Sequence, residues 1–169
     1  LYLKDFNKVD RKNKKIDKTF FEENTKIDNF LEEHSDLIVI IHHRWSVYFL
    51  EKYFDNEEGF RENNTFDDYL EPANTKTSSL KERQEYLKQG LLSKISEIVD
   101  QGHKLILVYP VPEMGFNVPR HFKNSFYRLR KLNNFEIPIL TGSYDVYKKR
   151  NKFIFSILDS AKNKNIYRV

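Results

Sequence analysis

Two short apolar runs, Leu37–Ile41 and Lys104–Tyr109, flank a long amphipathic stretch, and few architectures accommodate that order. Leu37-Ile38-Val39-Ile40-Ile41 has no polar alternation, as expected of a strand buried on both faces in a parallel sheet. Between the runs, Leu80, Leu87, Leu91, Ile95 and Ile98 fall on one helical stripe. Ser79 and Glu82 form a capping box at its start, and Gly102 is a natural residue just past its end. Helix leading into an apolar strand, twice over, is the signature of an α/β protein. Ile27, Phe30, Leu31 and His34 give the helix before the first run the same i, i+3, i+4, i+7 spacing.

The remaining elements are fainter. Trp45, Tyr48, Phe49 and Tyr53 predict a short helix just after the first strand. Phe122, Phe126 and Leu129 predict another, and Ile137–Leu140 a short extended segment. Ser143 is placed to cap a helix running through Tyr147, Ile154, Ile157, Leu158 and Ala161, with Asn165–Val169 as a further strand. Residues 1–18 are basic and unpatterned and are read as a loop. Residues 55–79 are polar, without period, and are read as an insertion in an α/β body spanning 19–169. The 169 residues suit one domain.

Composition narrows the class. No apolar run approaches the roughly 18–20 residues needed to cross a bilayer. The first residue is Leu, so the start is expected to be a cut rather than a natural N-terminus. The absence of cysteine excludes a thiolate nucleophile and thiolate metal ligands. The net charge of +4 conceals a segregation: residues 22–71 carry fourteen acidic and four basic side chains. Basic residues gather in 4–18, 120–131 and 148–168, either as solvated faces or as surfaces that steer an anionic polymer or sit near a membrane.

In open parallel α/β sheets, ligands bind beyond the carboxyl ends of the strands. That rule selects His42-His43-Arg44-Trp45 after the first strand and Pro110-Val111-Pro112-Glu113 after the second. Arg44, Trp45 and Glu113 are therefore candidate walls of a substrate crevice. Arg44 is suited to hold an anionic or carbonyl-bearing group, or else to pair with an acid such as Glu113. Trp45 is suited to stack on a sugar ring, but filling the core is the stronger reading for it.

Adjacent histidines on a strand point to opposite faces, so His42 and His43 are not expected to share a metal. No metal and no cofactor is expected. Asp100-Gln101-Gly102-His103 has the Asp-x-x-His spacing but falls where the long helix turns into the second strand, at the end of the sheet opposite the crevice. Gly142-Ser143-Tyr144-Asp145 is read as a helix start, because no nucleophile motif follows a strand there. Phosphate-binding glycine motifs are absent. Despite a pI near 9.0, no nucleic-acid module is recognisable, and none is expected as a partner.

The run Ser35-Asp36-Leu37-Ile38-Val39-Ile40-Ile41-His42-His43-Arg44-Trp45-Ser46-Val47-Tyr48 resembles a segment of SGNH domains fused to bacterial membrane acyltransferases, the O-antigen and peptidoglycan O-acetylase relatives. Gly102–Glu113, ending in Pro110-Val111-Pro112-Glu113 with Val118-Pro119 shortly after, resembles the same family's next strand. The helix with Tyr144, Tyr147 and Arg150 fits its following part more loosely. Order and spacing agree across roughly residues 25–169.

The resemblance implies an incomplete flavodoxin-like three-layer α/β/α fold with a parallel sheet. It also implies a serine nucleophile in a Gly-Asp-Ser block and an Asp-x-x-His pair. The first is expected before Leu1 and the second after Val169, so no catalytic residue is assigned to this chain. Arg44 matches the family's Arg-Trp position and Glu113 its Pro-x-Pro-Glu position. The implied function is O-acetyl transfer to a sugar hydroxyl of a cell-surface polysaccharide or lipopolysaccharide. The acyl group would come from a fused membrane domain, at the periplasmic or outer face of a bacterial cell. The alternatives are a non-catalytic carbohydrate-binding or scaffold domain of the same fold, and an esterase of acetylated glycans.

Overall fold

A computed structural model of the chain describes residues 3, 5–57, 61–62, 67–115, 118–132 and 142–169. The predicted extended segment Ile137–Leu140 lies outside them. The elements in order are β1 (Phe6–Asp10), α1 (Lys18–Glu33), β2 (Ile38–Ile41), α2 (Trp45–Leu50), β3 (Asp68–Pro72), α3 (Leu80–Asp100), β4 (Lys104–Leu107), α4 (Val118–Leu132), α5 (Tyr144–Ser160) and β5 (Ile166–Arg168). They divide between two compact units, one of residues 1–52, 66–111 and 151–169 and the other of residues 53–65 and 112–150.

The first unit holds a three-stranded parallel sheet in the order β2-β4-β5, so the protein is mixed α/β, compatible with an incomplete α/β/α fold. Both crossovers step the same way across this sheet, and right-handed connections then place α3 and the end of α5 on one face. Leu105, Leu107 and Ile166 point into that face and join Leu87, Leu91, Ile95 and Ile98 of α3 and Ile154, Ile157 and Leu158 of α5 in one core. Strand β2 departs from the expectation of burial on both faces. Its Ile38 and Ile40 are 64% and 63% exposed, because they alternate away from the helices that bury Ile41.

Helix α3 matches the sequence reading closely. Ser79 Oγ accepts a hydrogen bond from Glu82 N at 3.2 Å, and Gly102 takes φ +91° just beyond the helix, a conformation that favours glycine. The Glu82 carboxylate reaches Ser78 N at 2.8 Å, so the reciprocal half of the capping box lands one residue earlier than expected. Helix α1 is present too, with a different inner face. Asn24, Asp28 and Leu31 are buried, whereas Ile27 and Phe30 are exposed. The rotation brings Asn24 Oδ1 to Leu3 N at 3.2 Å and Asp28 Oδ1 to Lys94 Nζ at 2.8 Å. Buried polar groups set the orientation because leaving them without hydrogen bonds costs more than exposing two apolar side chains.

Residues 1–18 are not simply a loop, and the 55–79 segment is not structureless. Phe6–Asp10 pairs antiparallel with Asp68–Pro72, with Val9 opposite Tyr69. Phe6, Val9 and Leu70 are buried, and Phe6 sits over Gly90 of α3. A Cβ on Gly90 would lie 2.5 Å from Phe6 Cε2, so the missing side chain is what lets the strand lie against the helix. Glu51 binds the pair to α2 and α3. It follows α2 with φ +50°, and its carboxylate accepts from Arg83 (Nη2 at 2.9 Å) and from Arg11. Burial pushes the Glu51 carboxyl up, but these two guanidinium groups outweigh it and hold the group below its ordinary range.

The ion pair between Lys94 and Asp28 joins α3 to α1 with side chains 7% and 1% exposed, and Glu97 Oε2 lies 2.6 Å from the same ammonium. Removing one member of a buried pair leaves an uncompensated charge, whereas replacing both with apolar groups is tolerated. Lys94→Met is expected to lower unfolding free energy by about 3–5 kcal/mol. The double change Asp28→Leu with Lys94→Met should recover most of that loss. Urea denaturation of the three proteins checks both outcomes.

Candidate functional site

The carboxyl ends of β2, β4 and β5 converge because the strands are parallel and in register: Ile41 stands opposite Leu107, and Leu107 opposite Arg168. Pairing continues past the strands through Val108 N to Ile41 O at 3.0 Å and Tyr109 N to Val169 O at 2.7 Å. The segment after β2 therefore emerges beside the segment after β4. Trp45 fixes this neighbourhood. Its indole Nε1 donates to Val108 O at 2.9 Å while its ring lies fully within the core.

That placement corrects the crevice-wall candidate. Trp45 has no exposed ring to stack on a sugar and is a core residue, because the first turn of α2 points inward beneath the strand ends. Arg44, one residue earlier, is exposed and precedes α2 without a capping hydrogen bond from its side chain. His42 is also exposed. His43 is half-buried, edge-on to Trp45 at 6.0 Å and to Tyr48 at 5.1 Å between ring centroids. Burial among these rings pushes its imidazole down to about 4, with the neighbouring His42 acting in the same direction.

Beneath the strand ends, Ser46 Oγ meets Asn151 Oδ1 at 2.5 Å with both residues buried, joining α2 to α5. Tyr109, just past β4, donates its hydroxyl to the Asp159 carboxylate and packs edge-on against Phe155 at 5.6 Å. Burial foremost, and then the hydrogen bond to the Asp159 carboxylate, push the Tyr109 phenol above its ordinary value. Arg44, His42 and the edge of His43 are thus the polar groups presented where β2 ends, while Trp45, Ser46 and Asn151 are buried.

Glu113 belongs to the second unit. Its carboxylate accepts from Arg150 Nε at 2.7 Å, with side chains 14% and 8% exposed. Arg150 also reaches Tyr53 O at 3.4 Å and lies 5.4 Å from the centre of the Phe54 ring. The Pro110-Val111-Pro112-Glu113 run thus ends in a largely buried ion pair. Neither the Glu113–Arg150 pair nor the shielding of His43 by Trp45 and Tyr48 has a signature in the local sequence. An arginine 37 positions away carries no local signal of its partner.

Both decoy motifs are structural. His103 is fully buried at the opposite end of β4, where Leu37 N donates to its Nδ1 at 3.3 Å and its Nε2 faces Leu31 O at 3.2 Å. Asp100 accepts from Ser96 instead. Ser143 Oγ lies 3.4 Å from Val146 N and caps α5. Among the described residues, no group of three His, Asp or Glu side chains is gathered to hold a metal. A cavity of about 280 Å³ does exist, but it lies between β1, β3 and α3, lined by Phe6, Pro72, Tyr86 and Gly90.

The decisive comparison is with protein families: a family described as the SGNH domain (fused to AT3 domains) matches residues 3–169. The chain belongs to that SGNH family. No curated protein and no solved structure matches it. Membership in an SGNH family of this kind supports acyl-group chemistry, transfer or hydrolysis, and the AT3 fusion suggests association with a membrane. Among the described residues, no helix of this SGNH domain is long and apolar enough to cross one. The match covers both units, including the Arg44-Trp45 and Pro112-Glu113 positions.

The His43 environment makes the SGNH domain acid-sensitive in a defined window. An imidazole held neutral in the folded state gains its proton first in the unfolded chain, whose histidine titrates near 6.5. Stability is therefore full above that value and falls as the pH drops from about 6.5 toward about 4. Glu51, whose carboxyl is held low, contributes a separate loss at lower pH. Thermal melts of His43→Gln are expected to stay flat through the upper window while retaining the acid loss below it.

Proposed function

We propose that this SGNH domain serves a glycan O-acyltransferase, in which an acetyl group is passed to a hydroxyl of a cell-surface polysaccharide or lipopolysaccharide sugar. The single observation that carries the reading is the family match across residues 3–169, of the kind fused to AT3 domains. In such chemistry a serine attacks the acyl carbonyl, a histidine takes the serine proton, and the leaving group departs with a proton returned to it. The sugar hydroxyl then attacks the acyl-serine, the histidine now removing the sugar's proton, and the serine is released. Neither a Gly-Asp-Ser block nor an Asp-x-x-His pair at the strand ends is among these 169 residues, so none of these roles is given to a residue of this chain.

What the chain contributes is the wall and floor of a binding site. Arg44 is exposed at the end of β2, and its planar donors suit a carbonyl oxygen, a uronate or a phosphate on the glycan. Trp45 acts indirectly, holding the Arg44 backbone against Val108. Glu113 and Arg150 hold each other in the second unit, which makes Glu113 a positioning residue in this reading. The acceptor is a glycan, the donor an acyl group delivered by a membrane domain, and the working place the outer face of a bacterial membrane.

The purified 169-residue chain is expected to hydrolyse an aryl acetate no faster than buffer. Turnover by the chain itself, whether or not it survives Ser143→Ala, would place a working active site among these residues and sink the reading. In cells carrying the intact gene, Arg44→Ala should lower glycan O-acetyl content roughly tenfold, the scale of one lost charge-assisted hydrogen bond. Mass spectrometry of the surface glycan reads that change. An O-acetyl content unaffected by deleting the gene would favour a binding or scaffold role.

A further inference from the structure

Helix α4, Val118–Leu132, has an unusual make-up for a helix in a folded domain. It carries Arg120, Lys123, Arg128, Arg130 and Lys131 and no aspartate or glutamate, in a chain whose acidic and basic side chains nearly balance. Its apolar and polar positions are more sharply segregated than those of α1, α3 or α5. Phe122 and Phe126, one turn apart on one face, are 46% and 62% exposed, and Tyr127 beside them is 56% exposed. Exposed phenylalanines at adjacent turns of a basic helix carry a cost in water that a partner would remove.

We propose that α4 lies along the surface of an anionic lipid bilayer, with Phe122 and Phe126 inserted at the boundary of headgroups and acyl chains. The chemistry fits that occupant on three counts. A cationic helix without carboxylates is attracted to phosphate headgroups, and each cation near such a surface contributes to adsorption. Aromatic side chains flanked by cations match the depth profile of a helix lying in the interface. Fifteen residues are too few to span the hydrocarbon core, and no described helix is apolar enough to try. Lys123 and Tyr127 share the face next to the phenylalanines, so insertion of the rings brings an ammonium and a phenol to headgroup level. The biological setting of this inference rests on the membrane-side placement proposed above, while the attraction itself belongs to the helix.

The sole tryptophan, Trp45, is buried, so Phe126→Trp in the 169-residue chain adds the one indole that senses the bilayer at α4. Its emission should shift to the blue, and its quenching by iodide should fall, on vesicles of equal phosphatidylglycerol and phosphatidylcholine. Neither change is expected on phosphatidylcholine alone or at high salt. In vesicle sedimentation of the chain without that probe, Phe122→Ser with Phe126→Ser should weaken binding by at least about tenfold. Arg120→Glu with Lys123→Glu should weaken it further, with circular dichroism unchanged in each case. No emission shift on anionic vesicles at low salt overturns the proposal. So does equal binding to neutral vesicles, undiminished binding of the serine variant, or self-association that the serine variant abolishes. These measurements involve no acyl transfer, so their failure leaves the glycan reading standing, and an unchanged O-acetyl content leaves the vesicle result standing.

Discussion

The pairing of β2 with β4 is the constraint on which the rest of the first unit depends. Two parallel strands cannot be joined by a tight turn, so the chain between Ile41 and Lys104 must travel out and return as a helix. That helix, α3, supplies Leu87, Leu91, Ile95 and Ile98 to the core and carries Lys94 to Asp28 of α1. Because the strands run the same way, the residues following each are delivered to one end of the sheet. The hydrogen bond from the Trp45 indole to Val108 O then holds those two exits together beyond the last ladder bond. The polar residues at that end owe their positions to this geometry, since neither His43 nor Arg44 lies in a regular element.

The two ends of the sheet have opposite characters. At the amino end, His103 is fully buried between Leu37 N and Leu31 O, joining α1 to the start of β4. At the carboxyl end, Trp45, Ser46 and Asn151 are buried while Arg44 and His42 are exposed. Histidine serves both ends, as a fully satisfied core group in one case and as a shielded neutral ring in the other. Residue type alone does not separate these roles; the backbone partners do.

The features legible in the sequence were those with a local physical cause. The Leu87–Ile98 stripe, the Ser79 cap and the φ of Gly102 each follow from residues within a few positions of one another, and α3 accordingly begins and ends where expected. Strands β1 and β3 escaped because each is short, mostly polar and paired across some sixty residues, with no turn between them to announce a hairpin. The inner face of α1 was misjudged because hydropathy ranks Ile27 and Phe30 above Asn24 and Asp28, whereas partners at Leu3 and Lys94 reverse that order. Arg44 and Trp45 are adjacent in sequence, and their division into one exposed and one buried member follows from where α2 starts. The Glu113 partner, Arg150, was out of reach of any local pattern.

The contact of Phe6 with Gly90 reaches beyond the packing of one ring. A notch cut into a helix by a missing Cβ, filled by an aromatic from a distant strand, makes the two segments a lock that only the correct register can close. The strand carrying the key lies within the first ten residues and the notch in the middle of the longest helix. Trimming the leading residues to obtain a shorter domain would therefore bare a groove along α3 and free its partner β3. The opening segment of the chain is a structural part of the domain and belongs in any version made for crystallisation or assay.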